Sequence, residues 1–191
     1  MNFAELKSKI EIAAKQAFLE MFEEHGKDGI CAFALCSADG AWGAYPATNT
    51  TKHLEKKLAD EGKYVDLMVK YDAAEWGYEE EGAEELFDEI CDLCRNEVQE
   101  MCKGESVYQL KGKDKEDVEN FQNQLFETLI DVLEKLKSEN FFKQIVGEDI
   151  LLLIYVSDYD FSKEKYSEIV TRLNDNEIKK DCLDWIKTWG R

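Results

Sequence analysis

Ile150-Leu151-Leu152-Leu153-Ile154-Tyr155-Val156 is the stretch on which the fold turns. Seven consecutive apolar residues suit a buried strand and fall far short of the ~20 needed to cross a bilayer. Being apolar on both faces, the segment 149–157 is expected in the middle of a sheet covered on both sides. An earlier run, Gly29-Ile30-Cys31-Ala32-Phe33-Ala34-Leu35-Cys36, has the same character and reads as another interior strand. Asp39-Gly40 then supplies a hairpin turn, residues 41–45 return as a second strand, and Pro46, the chain's one proline, ends it.

Outward from these strands the period changes. Phe3, Leu6, Ile10, Ala13, Ala17, Phe18 and Met21 recur at three- and four-residue steps, one stripe of a helix that stops at His25-Gly26. Asn49-Thr50-Thr51 offers short polar side chains to cap a helix over 51–60. From Tyr64, the residues Val65, Leu67, Val69 and Tyr71 alternate with Asp66, Met68 and Lys70, which predicts a strand or extended segment. Further helices are expected over 82–102, 114–137, 162–173 and 177–189. The order α-β-β-α-(β)-α-α-β-α-α predicts one α+β domain over 1–191, with a small, mostly antiparallel sheet packed by several helices.

The charge narrows the partners. Of the 191 residues 42 are acidic and 24 basic, a net charge of −18. Direct nucleic-acid binding and binding to anionic membranes both need a positive field, so neither is expected. The opening residues lack the pattern of a secretory signal, and a cytoplasmic location is expected. With that location and an ample core, Cys31, Cys36, Cys91, Cys94, Cys102 and Cys182 read as reduced thiols that pack as small hydrophobes.

Catalytic patterns are sparse. Cys91-Asp92-Leu93-Cys94 is a CxxC, but a zinc site needs a second pair or two closely spaced histidines, and His25 and His53 do not supply them. A thioredoxin-like site needs the pair at a helix start, whereas this one sits inside a helical pattern. Neither Gly-x-Ser-x-Gly nor a phosphate-binding GxxxxGK[ST] loop occurs. No cofactor or metal is expected, and catalysis is left unmotivated.

The acidic run carries more content. Asp72, Glu75, Glu79, Glu80, Glu81, Glu84, Glu85, Asp88, Glu89 and Asp92 follow one another with no Lys or Arg between them, over half of the chain's net charge. On a helix, Glu81, Glu84, Glu85, Asp88 and Asp92 fall opposite Leu86, Ile90 and Cys94. This is either a solvated face or a docking surface for a basic protein. Trp76 and Tyr78 sit among the carboxylates, as interface anchors or as core aromatics.

Several stretches come in a familiar order: Phe33-Ala34-Leu35-Cys36-Ser37-Ala38-Asp39-Gly40, Pro46-Ala47-Thr48-Asn49-Thr50, Tyr71-Asp72-Ala73-Ala74-Glu75-Trp76, the strand 150–157, and Arg172-Leu173-Asn174. Together they resemble the domain-of-unknown-function 4303 (DUF4303) family of bacterial proteins, with Tyr71 standing where a Trp is usual and Ala73 where a proline is common. The family has no established activity, so the resemblance implies no catalytic residue. Some relatives look like cytoplasmic proteins found beside polymorphic or contact-dependent toxins, which implies an immunity protein that neutralises a toxin. The expectation is therefore a non-enzymatic acidic module that occludes a basic partner, a cognate toxin, through Glu75, Trp76, Tyr78, Glu79, Glu80, Glu81, Glu84, Glu85, Asp88 and Asp92. The alternative is a small-molecule-binding protein or enzyme with a pocket near Asn49, Thr50, Glu75 and Trp76. A DNA-mimicking acidic protein ranks third.

Overall fold

A computed structural model describes residues 1–61 and 66–189. Helix α1 (Phe3–His25) starts beneath Asn2, whose Oδ1 accepts the N–H groups of Ala4 and Glu5 at 3.1 and 3.4 Å. The cap satisfies donors that a first helical turn leaves open. The apolar stripe of α1 is buried from Leu6 to Met21, as its spacing predicts.

Strand β1 (Ile30–Ala38) follows and pairs antiparallel with β2 (Tyr45–Thr50). The second strand thus begins where the sequence reading ended it, and Pro46 lies inside it opposite Leu35. The reason is local. The Pro46 carbonyl accepts from the Glu80 N–H on the side of β2 away from β1. A residue's N and C=O face the same strand edge, so the missing proline donor falls where it breaks no bond to β1.

Helix α2 (Thr51–Glu61) follows without a loop, the Thr50 hydroxyl accepting the His53 N–H at 3.2 Å. The extended segment expected from Tyr64 is not found over its described part, which is helix α3 (Asp66–Tyr71); Tyr64 and Val65 lie outside the described residues. Six residues are too few for period two to decide between strand and helix, and in the helix Val69 and Tyr71 are both buried. Strand β3 (Tyr78–Glu79) adds two residues to the far side of β2. Helices α4 (Glu84–Cys102) and α5 (Gly112–Ser138) come next, then a short helix α6 (Phe141–Val146) that the sequence reading did not anticipate.

Strand β4 (Leu151–Ser157) lies parallel to β1, from Ala32 opposite Leu151 to Ala38 opposite Ser157. The sheet order is β3-β2-β1-β4. The sheet is accordingly mixed rather than mostly antiparallel, and its longest ladder is the parallel one. Strand β4 is also an edge strand, not a middle one. Both its faces are covered, which is all that a doubly apolar run requires.

At Leu152 the open edge of β4 is closed by a side chain. Helix α7 (Lys163–Leu173) packs beside β4 and α5, and the residue after it, Asn174, is 2% exposed. Its Oδ1 accepts the Leu152 N–H at 2.9 Å, and its Nδ2 donates to the Leu152 carbonyl at 2.7 Å. One carboxamide thus supplies the donor and acceptor that a neighbouring strand residue would have offered. Arg172 fixes α7 from the other side, its guanidinium bonding Glu127, Asp131 at 3.0 Å and Glu134 at 2.8 Å along one stripe of α5. Helix α8 (Asn176–Ile186) completes the fold.

The two faces of the sheet are packed differently. Phe33 of β1 meets Phe18 of α1 edge-on at 5.4 Å, and Phe142 of α6 sits 4.8 Å from the same Phe18 ring. Alternation turns Ala32 and Ala34 to the opposite face with Ala47, where small side chains let the turn Ala73–Glu75 lie against β2 and β4. On the Phe33 face the Thr48 hydroxyl is buried with no hydrogen-bond partner among the described residues. Thr48→Val keeps the shape and removes that orphan, so it is expected to leave stability unchanged or raise it by up to about 1 kcal/mol in denaturant unfolding. A clear loss would show that the hydroxyl has a partner.

Candidate functional site

The acidic segment is positioned by a sharp reversal between β3 and α4. Glu80 (φ 62°), Gly82 (φ 93°) and Ala83 (φ 54°) all adopt left-handed backbone. Gly82 passes so close to α1 that a Cβ there would stand 2.9 Å from both the Cα and the carbonyl oxygen of Ala17. The Ala83 N–H is held by Glu20 of α1 at 2.6 Å. Helix α4 then buries Phe87, Ile90, Cys94, Val98 and Cys102 and turns its acids outward. Glu84 and Glu85 in the first turn complement the positive end of the helix dipole, which the acids further along do not.

Glu79, Glu80, Glu81, Glu84, Glu85, Asp88 and Asp92 are all exposed. Among the described residues the ion pairs of this stretch are Glu75–Lys57 at 3.3 Å, Glu89–Lys9 at 3.7 Å and Asp92–Arg95 at 2.8 Å. Glu79, Glu80, Glu81, Glu84, Glu85 and Asp88 have no cation partner among those residues. Partial burial, with Glu80 beside it, lifts the Glu79 carboxyl above its ordinary value. Asp72 is separate from this face. It is half-buried, accepts the Ala74 N–H at 3.1 Å, and burial raises its carboxyl.

The two candidate anchors part company. Trp76 is a core residue, 6% exposed, its Nε1 donating to the Lys70 carbonyl at 3.3 Å. Tyr78 is half-buried and stacked on His25 with ring centroids 4.0 Å apart. The pocket expected near Asn49, Thr50, Glu75 and Trp76 resolves into separate local roles. Asn49 Oδ1 accepts the Thr50 N–H at 3.0 Å, Thr50 caps α2, Glu75 pairs with Lys57, and Trp76 fills the core.

The CxxC pair is split by the helix. Cys94 is buried, its thiol pushed up to about 12 by desolvation. Cys91 is half-buried and donates to the Ala44 carbonyl at 3.4 Å. All six cysteines are free, and among the described residues no group of three metal-binding side chains stands together.

A cavity of about 280 Å³ lies against β4. It is lined by Ile154, Tyr155 and Val156, by Tyr71 at the end of α3 and Asp72 after it, and by aromatics from the segment after β4, from α7, from α8 and from just beyond α8. Sequence reasoning overlooked it. The available signal was Tyr159, Phe161 and Tyr166 crowded into eight residues, with Trp185 and Trp189 four apart in sequence.

Fold and surface together define an α+β protein with a mixed four-stranded sheet and an acidic helix along one side. Among the described residues no helix is long and apolar enough to cross a membrane. The family model described as "Domain of unknown function (DUF4303)" matches residues 10–175, and the chain belongs to that family. No curated protein and no solved structure matches it.

Proposed function

We propose that the protein is an acidic protein-binding module whose α4 face receives a basic protein, in the manner of an immunity protein occluding a toxin. One observation carries the reading: Glu79, Glu80, Glu81, Glu84, Glu85 and Asp88 are all exposed and have no cation partner among the described residues. Carboxylates three and four apart repel by a few tenths of a kcal/mol per pair. Lys and Arg side chains of a partner turn that repulsion into attraction and steer the encounter. Tyr78, at the margin of the face, is the aromatic available as an anchor, a role that the burial of Trp76 removes from it. Because the face is solvent-exposed, binding weakens as salt rises.

The test begins with capture from the source cell on the immobilised chain, after which the captured basic protein is identified, purified and titrated. A one-to-one, salt-sensitive complex is expected. Reversing Glu80, Glu84, Glu85 and Asp88 to lysine, with helicity checked by circular dichroism, should weaken it at least about tenfold. Unchanged affinity in that variant overturns the assigned surface.

A further inference from the structure

The cavity against β4 has a composition unlike the rest of the surface. Its aromatic wall is a continuous arc of rings. Tyr71 stacks on Trp185 with centroids 5.3 Å apart; Trp185 meets Trp189 at 5.0 Å and 90°. Trp189 lies 5.3 Å from Tyr166, Tyr166 stacks on Phe161 at 6.2 Å, and Phe161 meets Tyr159 at 4.9 Å. Two indoles at right angles form a corner, so the arc presents walls in more than one direction. Trp185, Trp189, Tyr159 and Phe161 remain partly exposed.

The charge in the lining has one sign. Asp72 and Asp160 are its charged members, and among the described residues no Lys, Arg or His lines it. Two ammonium groups stand nearby. Lys70 Nζ lies 5.1 Å from the Tyr71 ring centroid and 3.9 Å from Asp181, and Lys163 Nζ donates to the Trp189 carbonyl.

We propose that this cavity is a binding site for a small organic cation of the trimethylammonium class. Aromatic faces carry negative quadrupole potential and attract diffuse, weakly hydrated cations. The Asp72 carboxylate adds a counter-charge in a half-buried setting where it is poorly screened. Among the described lining residues an anion meets only like charge, the two nearby ammonium groups being engaged by Asp181 and by the Trp189 carbonyl. A hard metal ion finds two carboxylates and otherwise mostly aromatic and aliphatic carbon, too few oxygens for its usual shell. The volume, near the lower end for ligand pockets, suits a free small molecule. Asp72 also lies half-buried without an ion-pair partner among the described residues, and a bound cation would neutralise it. The site goes beyond the acidic-face reading and uses none of the α4 residues.

The experiment titrates the full chain with choline and with tetramethylammonium, followed by tryptophan fluorescence and calorimetry. The neutral isostere 3,3-dimethylbutan-1-ol serves as the control. Saturable binding of both cations is expected, at least about tenfold tighter than the alcohol. Asp72→Asn keeps an oxygen for the Ala74 N–H while removing the charge, so it should retain the melting temperature and weaken choline about tenfold. Trp185→Ala, checked for folding by circular dichroism, should abolish binding. Equal binding of the alcohol, no saturation in the millimolar range, or an Asp72→Asn variant that binds choline undiminished overturns the proposal. Co-sedimentation with phosphatidylcholine vesicles without saturable choline binding overturns the assignment to a free ligand.

Discussion

Asn174→Ala should lower the unfolding free energy by about 3 kcal/mol, from a buried N–H and a buried C=O of Leu152 each left unpaired at about 1–3 kcal/mol. For a chain of this size that corresponds to a fall in melting temperature of roughly 6–12 °C. The loss is specific to hydrogen bonding, because the carboxamide is the group that closes the free side of β4. Asn174→Leu separates the two contributions a deletion mixes. It refills the volume but supplies neither donor nor acceptor, so it should lose about as much as the alanine variant. If Asn174→Leu unfolded at the wild-type denaturant midpoint, edge closure by the amide would not be what stabilises this strand.

Gly82→Ala is the second large effect. The added methyl must sit 2.9 Å from two backbone atoms of Ala17, and the φ of 93° is itself unfavourable for any residue with a Cβ. Strain of about 1–3 kcal/mol and overpacking of similar size act together, giving roughly 2–6 kcal/mol. The contact is with main chain, so thinning the opposite side chain cannot relieve it. Ala17→Gly combined with Gly82→Ala is expected to remain at least as unstable as Gly82→Ala alone. Restoration of wild-type stability in the double variant would place the clash on the Ala17 methyl instead. If the chain escapes by moving α4 away from α1, the bond from Glu20 to the Ala83 N–H lengthens, and that amide should exchange faster with solvent.

How far the sequence discloses this molecule depends on whether the deciding interaction is local. The stripes of α1, α4 and α5 are legible because burial repeats at the helical period over many turns, and the Asn49-Thr50 cap is legible because cap and helix are adjacent. The edge position of β4 is not legible. An apolar run reports that both faces are covered and says nothing about lateral neighbours, and Asn174 lies 22 residues from the backbone it pairs. Pro46 misled for a related reason: a proline forbids a donor on one side of a strand, and only the tertiary pairing reveals which side. The outward turn of Glu84, Glu85 and Asp88 could be read from their charge and spacing. The parting of Trp76, buried in the core, from Tyr78, half-buried at the margin, could not, since both are aromatics among acids and only the packing of 71–76 over the sheet separates them.

The shortness of β3 has a consequence for recognition. Tyr78–Glu79 gives β2 two paired residues on its outer side, and Glu79 and Glu80 stand at that margin. A row of two residues flanked by carboxylates is a poor template for a further strand, so fibril-like growth of the sheet by lateral addition is blocked there. At this margin strand complementation, in which an extended peptide borrows a sheet's backbone for its affinity, is disfavoured by the same means. A partner approaching at this margin must read side chains, so its specificity there is open to change one surface residue at a time.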